Sequence, residues 1–231
     1  WRVRRRVKTP RAASANRSTP LAWFKREGSE AAVPAPRAAA APPEGNVQTR
    51  AFPKFIAALA RQESPVIVDF GPVIGSNVSF FGERLGCKIF VEDLYADIER
   101  HAKEGKRAAL PEFLAGRLTQ ADESVDGVLC WDLFDFLDKP SAMALASRIA
   151  KMIRPGGAVF GYFGAAAADL THYNKFVVVD EGQLKMRPFA ATPVKRQVLQ
   201  NRDIIKMFDP LTVAESFLLK SNTRETLFRR L

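Results

Sequence analysis

The sequence predicts an α/β fold with a doubly wound, mostly parallel sheet, and three observations carry that prediction. An apolar run, Val66-Ile67-Val68, passes through Asp69-Phe70-Gly71-Pro72-Val73-Ile74-Gly75 into a segment with Val78, Phe81 and Leu85 at helical spacing. A second apolar run, Lys88-Ile89-Phe90-Val91, ends on the acidic pair Glu92-Asp93. Apolar runs and helical segments then alternate as far as Phe163, the pattern of a parallel sheet covered on both faces. A strand, a glycine turn, a helix and a second strand tipped by a carboxylate form a nucleoside-binding half-unit, in which the turn meets the ligand and the acid accepts from a ribose hydroxyl.

The turn argues against a dinucleotide. A pyrophosphate needs bare backbone amides at a helix N-terminus, supplied by glycines spaced G-x-G-x-x-G. Here Pro72 has no amide hydrogen, and Val73 places a branched side chain where the second glycine belongs. No Gly-Lys-Ser/Thr follows, which excludes a P-loop. A ligand with a ribose and no phosphate tolerates such a turn.

The remaining elements follow in order. Phe52, Phe55, Ile56 and Leu59 recur at helical spacing ahead of Pro65, so a helix there covers the ligand mouth or packs on the sheet. Phe113-Leu114 to Leu118 is the expected remnant of a third strand. Ser124 to Leu133 reads as the fourth, with Asp132 at its tip. Ala142 to Met152 is amphipathic, and Arg154-Pro155-Gly156-Gly157 stops it before the strand Ala158 to Phe163. Phe176 to Val179 and Gln183 to Arg187 flank Asp180-Glu181-Gly182 as a hairpin. Asn201 to Phe208 reads as a short helix, and two terminal strands, Leu211 to Lys220 and Thr223 to Arg230, flank Ser221-Asn222.

These residues resemble the class I S-adenosylmethionine-dependent methyltransferases, whose first motif reads Asp/Glu-x-Gly-x-Gly-x-Gly with a ribose-binding acid ending the second strand. Asp69, Gly71 and Gly75 match that motif, Val73 replaces its middle glycine, and Glu92 lies where the ribose acid is expected. The fourth strand, the Arg-Pro-Gly-Gly turn and the fifth strand extend the resemblance from Val66 to Phe163. No acid lies near Leu114-Ala115-Gly116, where the family's third strand often carries one. The resemblance implies a seven-stranded, Rossmann-like sheet with antiparallel terminal strands, residues 164–200 as a substrate-side insertion, and S-adenosylmethionine as cofactor.

It also implies a site. Asp69, Gly71, Pro72, Gly75, Asn77, Glu92, Asp93 and Asp132 are the expected cofactor contacts. Four of them have a plainer alternative: Asp69 caps its own turn, Asn77 bonds only the helix start, Asp93 caps the next helix, and Asp132 is a solvated helix-start aspartate. For Asp93 the cap is the favoured alternative. Trp131 reads as core rather than as an adenine platform. Methyl transfer needs alignment more than a general base, so the catalytic residues stay unassigned. Asp132, His172 and Tyr173 are the candidates, the last two able to orient or deprotonate a hydroxyl. Trp131-Asp132-Leu133 is not the Asn/Asp-Pro-Pro-Tyr/Phe of base methylation, so a small-molecule acceptor is the default and nucleic acid is disfavoured. The rival readings are a non-catalytic interaction module, suggested by Val73 and the absent third-strand acid, and an RNA-directed enzyme using a basic tail.

Composition bounds the rest. The chain has 231 residues and a formal net charge of +10. Residues 1–50 hold 11 Lys/Arg against three acids, so +8 of that charge lies there and the remainder, residues 51–231, is nearly neutral. These first 50 residues are rich in Ala, Pro and Arg and read as a disordered tether ahead of one domain. An organelle leader is the lesser alternative, and Leu21 to Arg26 is the tail's one aromatic and basic segment, suited to a membrane surface or a partner. Trp1 in first position is expected of a trimmed or partial sequence. With no apolar span long enough for a membrane and two cysteines, Cys87 and Cys130, outside any metal cluster, a reducing, cytoplasmic setting is expected. Oligomeric state is not legible.

Overall fold

The computed structural model describes residues 44–231. Its chain order opens with β1 (Gly45–Gln48), α1 (Phe52–Leu59), β2 (Val66–Asp69), α2 (Gly75–Leu85), β3 (Lys88–Val91) and α3 (Leu94–Lys103). Next come α4 (Leu110–Arg117), β4 (Val125–Trp131), α5 (Lys139–Met152) and β5 (Ile153–Gly164). The last third holds β6 (Asp169–Asp180), β7 (Gln183–Lys195), α6 (Asn201–Met207), β8 (Thr212–Leu218) and β9 (Thr223–Arg229).

The central sheet runs β3-β2-β4-β5-β9-β8. Its first four strands are parallel, and β9 and β8 close it in antiparallel fashion. This is the expected mostly parallel sheet with antiparallel terminal strands, but among the described residues it has six strands rather than seven. The expected third strand is helix instead. Leu110–Arg117 carries Pro in its first turn, where a missing amide hydrogen costs nothing, with Glu112 beside it. Leu110 and Leu114 turn inward from that helix into the core. The sheet therefore ends at β3.

Two apolar layers sandwich the sheet. On one face α3, α4, α5 and α6 pack around Val68, Val128, Val159 and Phe228. On the other, α1 lays Phe52, Phe55, Ile56 and Leu59 on Ile67, Leu129 and Phe160. Gly127 permits that close approach, since a Cβ there would stand 2.8 Å from Leu59 Cδ1 and 3.0 Å from Phe55 Cζ. Of the two readings for α1, packing on the sheet is the one observed.

The 164–200 segment builds a second sheet of order β1-β7-β6, antiparallel throughout. Its hairpin turns at Asp180 to Gln183, close to the expected place. Its third strand corrects the tether boundary: Gly45–Gln48 pairs with β7, so ordered structure begins ahead of residue 50. Just beyond β1, the hydroxyl of Thr49 and the amide of Arg50 donate to the buried Glu225 carboxylate of β9, tying this segment to the central sheet. The rest of the expected tether, Leu21 to Arg26 included, lies outside the described residues. Among the described residues no helix is long and apolar enough to cross a membrane, and no cluster of His, Cys, Asp and Glu is placed to hold a metal.

Candidate functional site

From β2 the chain crosses to β3 on one side and then returns to β4 on the other, so the strand order reverses between β2 and β4. In open α/β sheets the crevice outside the strand ends at such a reversal is where ligands bind. Asp69 at the tip of β2 and Asp132 just past β4 flank it.

Asp69 is buried and turned inward. Its Oδ1 accepts from the Gly71 amide at 2.8 Å and from Trp131 Nε1 at 2.6 Å. The same pair explains Gly71: a Cβ there would meet Trp131 Nε1 at 3.0 Å and Asp69 Oδ1 at 3.1 Å. Thus the aspartate shapes the turn and Trp131 packs against it. Burial pushes the Asp69 carboxyl up to about 6, against the pull of the Gly71 and Trp131 donors; an exposed aspartate sits near 3.9. The folded state holds this proton more tightly than the unfolded chain. Its stabilising contribution is therefore full below about pH 3.9 and is lost as pH rises through about 6. Asp69→Asn, neutral throughout, should gain on the parent by up to about 3 kcal/mol between about pH 4 and about pH 7. Urea unfolding at both ends of that range measures it, and a difference that stays constant would show that Asp69 does not titrate between the two states.

The outer side of the turn is open. Val73 is 71% exposed, Gly75 is exposed with nothing within 4 Å of a Cβ built on it, and Pro72, just before Val73, is half-buried. Glu92, at the tip of β3, is held by protein donors. Arg117 Nη1 reaches its Oε2 at 2.7 Å and Gln120 Nε2 its Oε1 at 2.6 Å, while Arg117 Nη2 donates to the Glu92 carbonyl at 2.9 Å. Arg117 Nε also bonds Asp97, so one guanidinium joins β3, α3 and α4. Asp93 adopts its cap role at α3, accepting from the Ala96 amide at 3.3 Å.

Asn77 is buried, and its side chain turns away from its own helix start. Its Nδ2 donates to the Phe176 carbonyl at 2.8 Å and its Oδ1 accepts from the Val178 amide at 2.8 Å, fastening α2 to β6. On the opposite side Glu99 of α3 accepts from Tyr173 Oη at 3.1 Å and from Thr192 at 2.9 and 2.8 Å. The second sheet is thereby pinned to the helices that follow both β2 and β3. Tyr173 is buried in β6 and His172 beside it is half-buried, its Nδ1 2.8 Å from Thr171 Oγ1. Both were expected after the fifth strand, and both are strand residues.

Asp132 is buried, not solvated. Tyr95 Oη donates to its Oδ1 at 2.5 Å and Asn174 Nδ2 to its Oδ2 at 2.7 Å. Burial raises its carboxyl above the usual range in spite of those donors. Three residues on, Asp135 accepts from the Gly164 amide at 2.7 Å and pairs with Arg196 at 2.8 Å, and burial pushes it up to about 7 against the pull of that arginine. Trp131 is core, as read: it stacks on Phe176 at 5.0 Å, and Phe176 stacks in turn on Tyr162 at 5.4 Å. A cavity of about 180 Å³ lies beside this stack and is reached by Asp132, Asp135, Tyr162, Asn174, Phe176 and Arg196.

Sequence reasoning missed Tyr95, Arg117, Asp135, Asn174 and Arg196. Asp135 carried a signal, an acid within Leu133-Phe134-Asp135-Phe136-Leu137. The others have none, because only folding brings them to the crevice.

No protein-family model and no curated protein matches the chain. It is similar to several solved structures at low identity. The CcbJ methyltransferase of Streptomyces caelestis is 15% identical, over 78% of this chain and 94% of that one, at a TM-score of 0.46. DesVI of Streptomyces venezuelae is 14% identical, over 78% and 92%, also at 0.46. The 1,6-didemethyltoxoflavin-N1-methyltransferase of Burkholderia thailandensis, solved with 1,6-didemethyltoxoflavin and S-adenosylhomocysteine, is 14% identical over 78% of each chain at 0.45. The fold assignment rests on strand order and not on these scores. In strand order and in its antiparallel close, the chain has the doubly wound, mostly parallel sheet expected from its sequence, with six strands among the described residues.

Proposed function

We propose that this protein is an S-adenosylmethionine-dependent methyltransferase acting on a small molecule. The observation that carries this is the reversal of strand order between β2 and β4, with the Gly71 to Gly75 turn on one side of the crevice, Asp132 on the other and Glu92 at the neighbouring tip. The donor set fits the nucleoside half of the cofactor. A carboxylate accepts about four hydrogen bonds; each Glu92 oxygen takes one side-chain donor, which leaves capacity on both for a ribose diol. The exposed face of Gly75 fits a close approach by ligand. Gly71, Gly75 and Glu92 are the proposed contacts, with Pro72 between them. Asp69, Asn77 and Asp93 act through the turn, the second sheet and the α3 cap.

When bound, the cofactor supplies an electrophilic methyl group on a positively charged sulfur. The chain's task is to align an acceptor and keep water away. Tyr95 and Asn174 fix the Asp132 carboxylate at the crevice wall, and the second sheet, pinned through Asn77 and Glu99, covers it. The cavity beside Asp132, about 180 Å³, is below the roughly 300 Å³ at which drug-sized pockets begin. That size supports a small acceptor over a nucleic acid, as does the near-neutral charge of residues 51–231.

Calorimetry of the full chain with S-adenosylhomocysteine tests the reading. Saturable one-to-one binding is expected. Its absence would favour the non-catalytic module, a reading to which the protein donors already on Glu92 and Asp132 lend weight.

A further inference from the structure

We propose that the cavity beneath β6 binds a small ammonium compound that also carries an oxygen acceptor, an amino alcohol in chemical class. Two carboxylates, Asp132 and Asp135, converge on it from the end of β4 and the short helical turn that follows, and among the described residues Arg196 is the one cation that lines it. With both acids ionised the site carries one uncompensated negative charge, and buried charge demands a partner. An ammonium group supplies it; an anion would face two carboxylates.

The second observation is independent of the acids. Tyr162, 3% exposed, lines the cavity beside the Thr49 hydroxyl, which donates to Glu225, and among the described residues no well-aligned hydrogen bond satisfies the Tyr162 hydroxyl. Arg196 also lines the cavity, and its Nε is buried without one, although its other nitrogens bond Asp135 and the Ala166 carbonyl. Buried polar groups left unpaired are costly. A hydroxyl oxygen can accept from an ammonium N–H, whereas the Arg196 Nε–H can only donate. The ligand must therefore bring a cationic donor and, on the same small skeleton, an oxygen. Met186 and Leu219 add apolar wall, which suits a short hydrocarbon branch.

The charged groups facing Asp135 are Arg196, beyond β7, and Asp132, beyond β4. The Asp135 carboxyl, pushed up to about 7 by burial, must be ionised to pair with an ammonium, so binding tightens as pH rises through neutrality. The binding claim stands on the cavity alone; that this ligand is the methyl acceptor rests on the proposed function.

The test is an NMR titration of the full chain, without cofactor, using valinol, the diol in which a hydroxyl replaces its amine, and the hydroxy acid of the same skeleton. Valinol should bind at least about tenfold more tightly than either, should tighten further from about pH 6 to about pH 8, and should lose its advantage in Asp135→Asn. If that variant fails to fold, the pH series on the parent decides. Tighter binding of the hydroxy acid, equal binding of all three, or no saturable shifts with any would overturn the proposal. Each of these outcomes is independent of whether S-adenosylhomocysteine binds.

Discussion

Trp131→Ala is expected to lower the thermal midpoint by about 6–20 °C. Trp131 is 2% exposed at the junction of the central sheet, α1 and the second sheet. It stacks on Phe176 at 5.0 Å with planes 5° apart and meets Phe160 edge-on at 6.0 Å. Deleting a buried aromatic of this size costs about 3–5 kcal/mol, and in chains of 150–250 residues each kcal/mol moves the midpoint by about 2–4 °C. A second contribution is polar, since the loss of Trp131 Nε1 leaves Asp69 with the Gly71 amide alone. Trp131→Phe separates the two: it keeps most of the packing and should cost about 1–3 kcal/mol for the lost donor. Calorimetric unfolding of both variants decides, and a shift of less than about 2 °C for the alanine variant would show that the stack is not what holds the turn.

Glu92→Ala is expected to weaken S-adenosylhomocysteine binding about ten- to a hundredfold. A pair of hydrogen bonds to a charged acceptor is worth roughly 1.5–3 kcal/mol, which converts to that range. The variant should fold, because Arg117 keeps Asp97 through Nε and the carbonyl of residue 92 through Nη2. Gln120→Ala removes a neighbouring donor without touching the carboxylate and should change affinity several-fold less. Equal affinity in parent and Glu92→Ala would take Glu92 out of the site; unfolding would instead show that the Arg117 clamp is chiefly structural.

Much of the fold was legible because it is written in local pattern. Val66-Ile67-Val68, Lys88 to Val91 and Val125 to Trp131 are short apolar runs bounded by turn residues, and each is a strand. The terminal pair fell at Thr212–Leu218 and Thr223–Arg229, close to its expected limits. The expected third strand is a helix because Phe113-Leu114-Ala115-Gly116 suits either state by apolarity, and Pro111 with Glu112 makes a helix start that decides between them. β1 was hidden by composition: Gly45–Gln48 has little strand propensity of its own and is ordered by pairing with β7.

The site divides along the same line. The sequence by itself determined where a nucleoside half-unit lies, since turn chemistry and a carboxylate at a strand tip are properties of consecutive residues. It could not decide what those side chains touch. Glu92 is held by Arg117 and Gln120, 25 and 28 residues away, Asp69 by Trp131 at 62, and Asn77 by β6 at 99 and 101. Hydrogen bonds are satisfied by whatever donor the fold brings within about 3 Å, and burial sets the protonation of Asp69 and Asp135 more than their neighbours in sequence do. Only the tertiary structure placed the β6-β7 sheet over the crevice and left Tyr162 and Arg196 with unpaired atoms at a small acidic cavity, because those contacts join strands that meet only once the chain has folded.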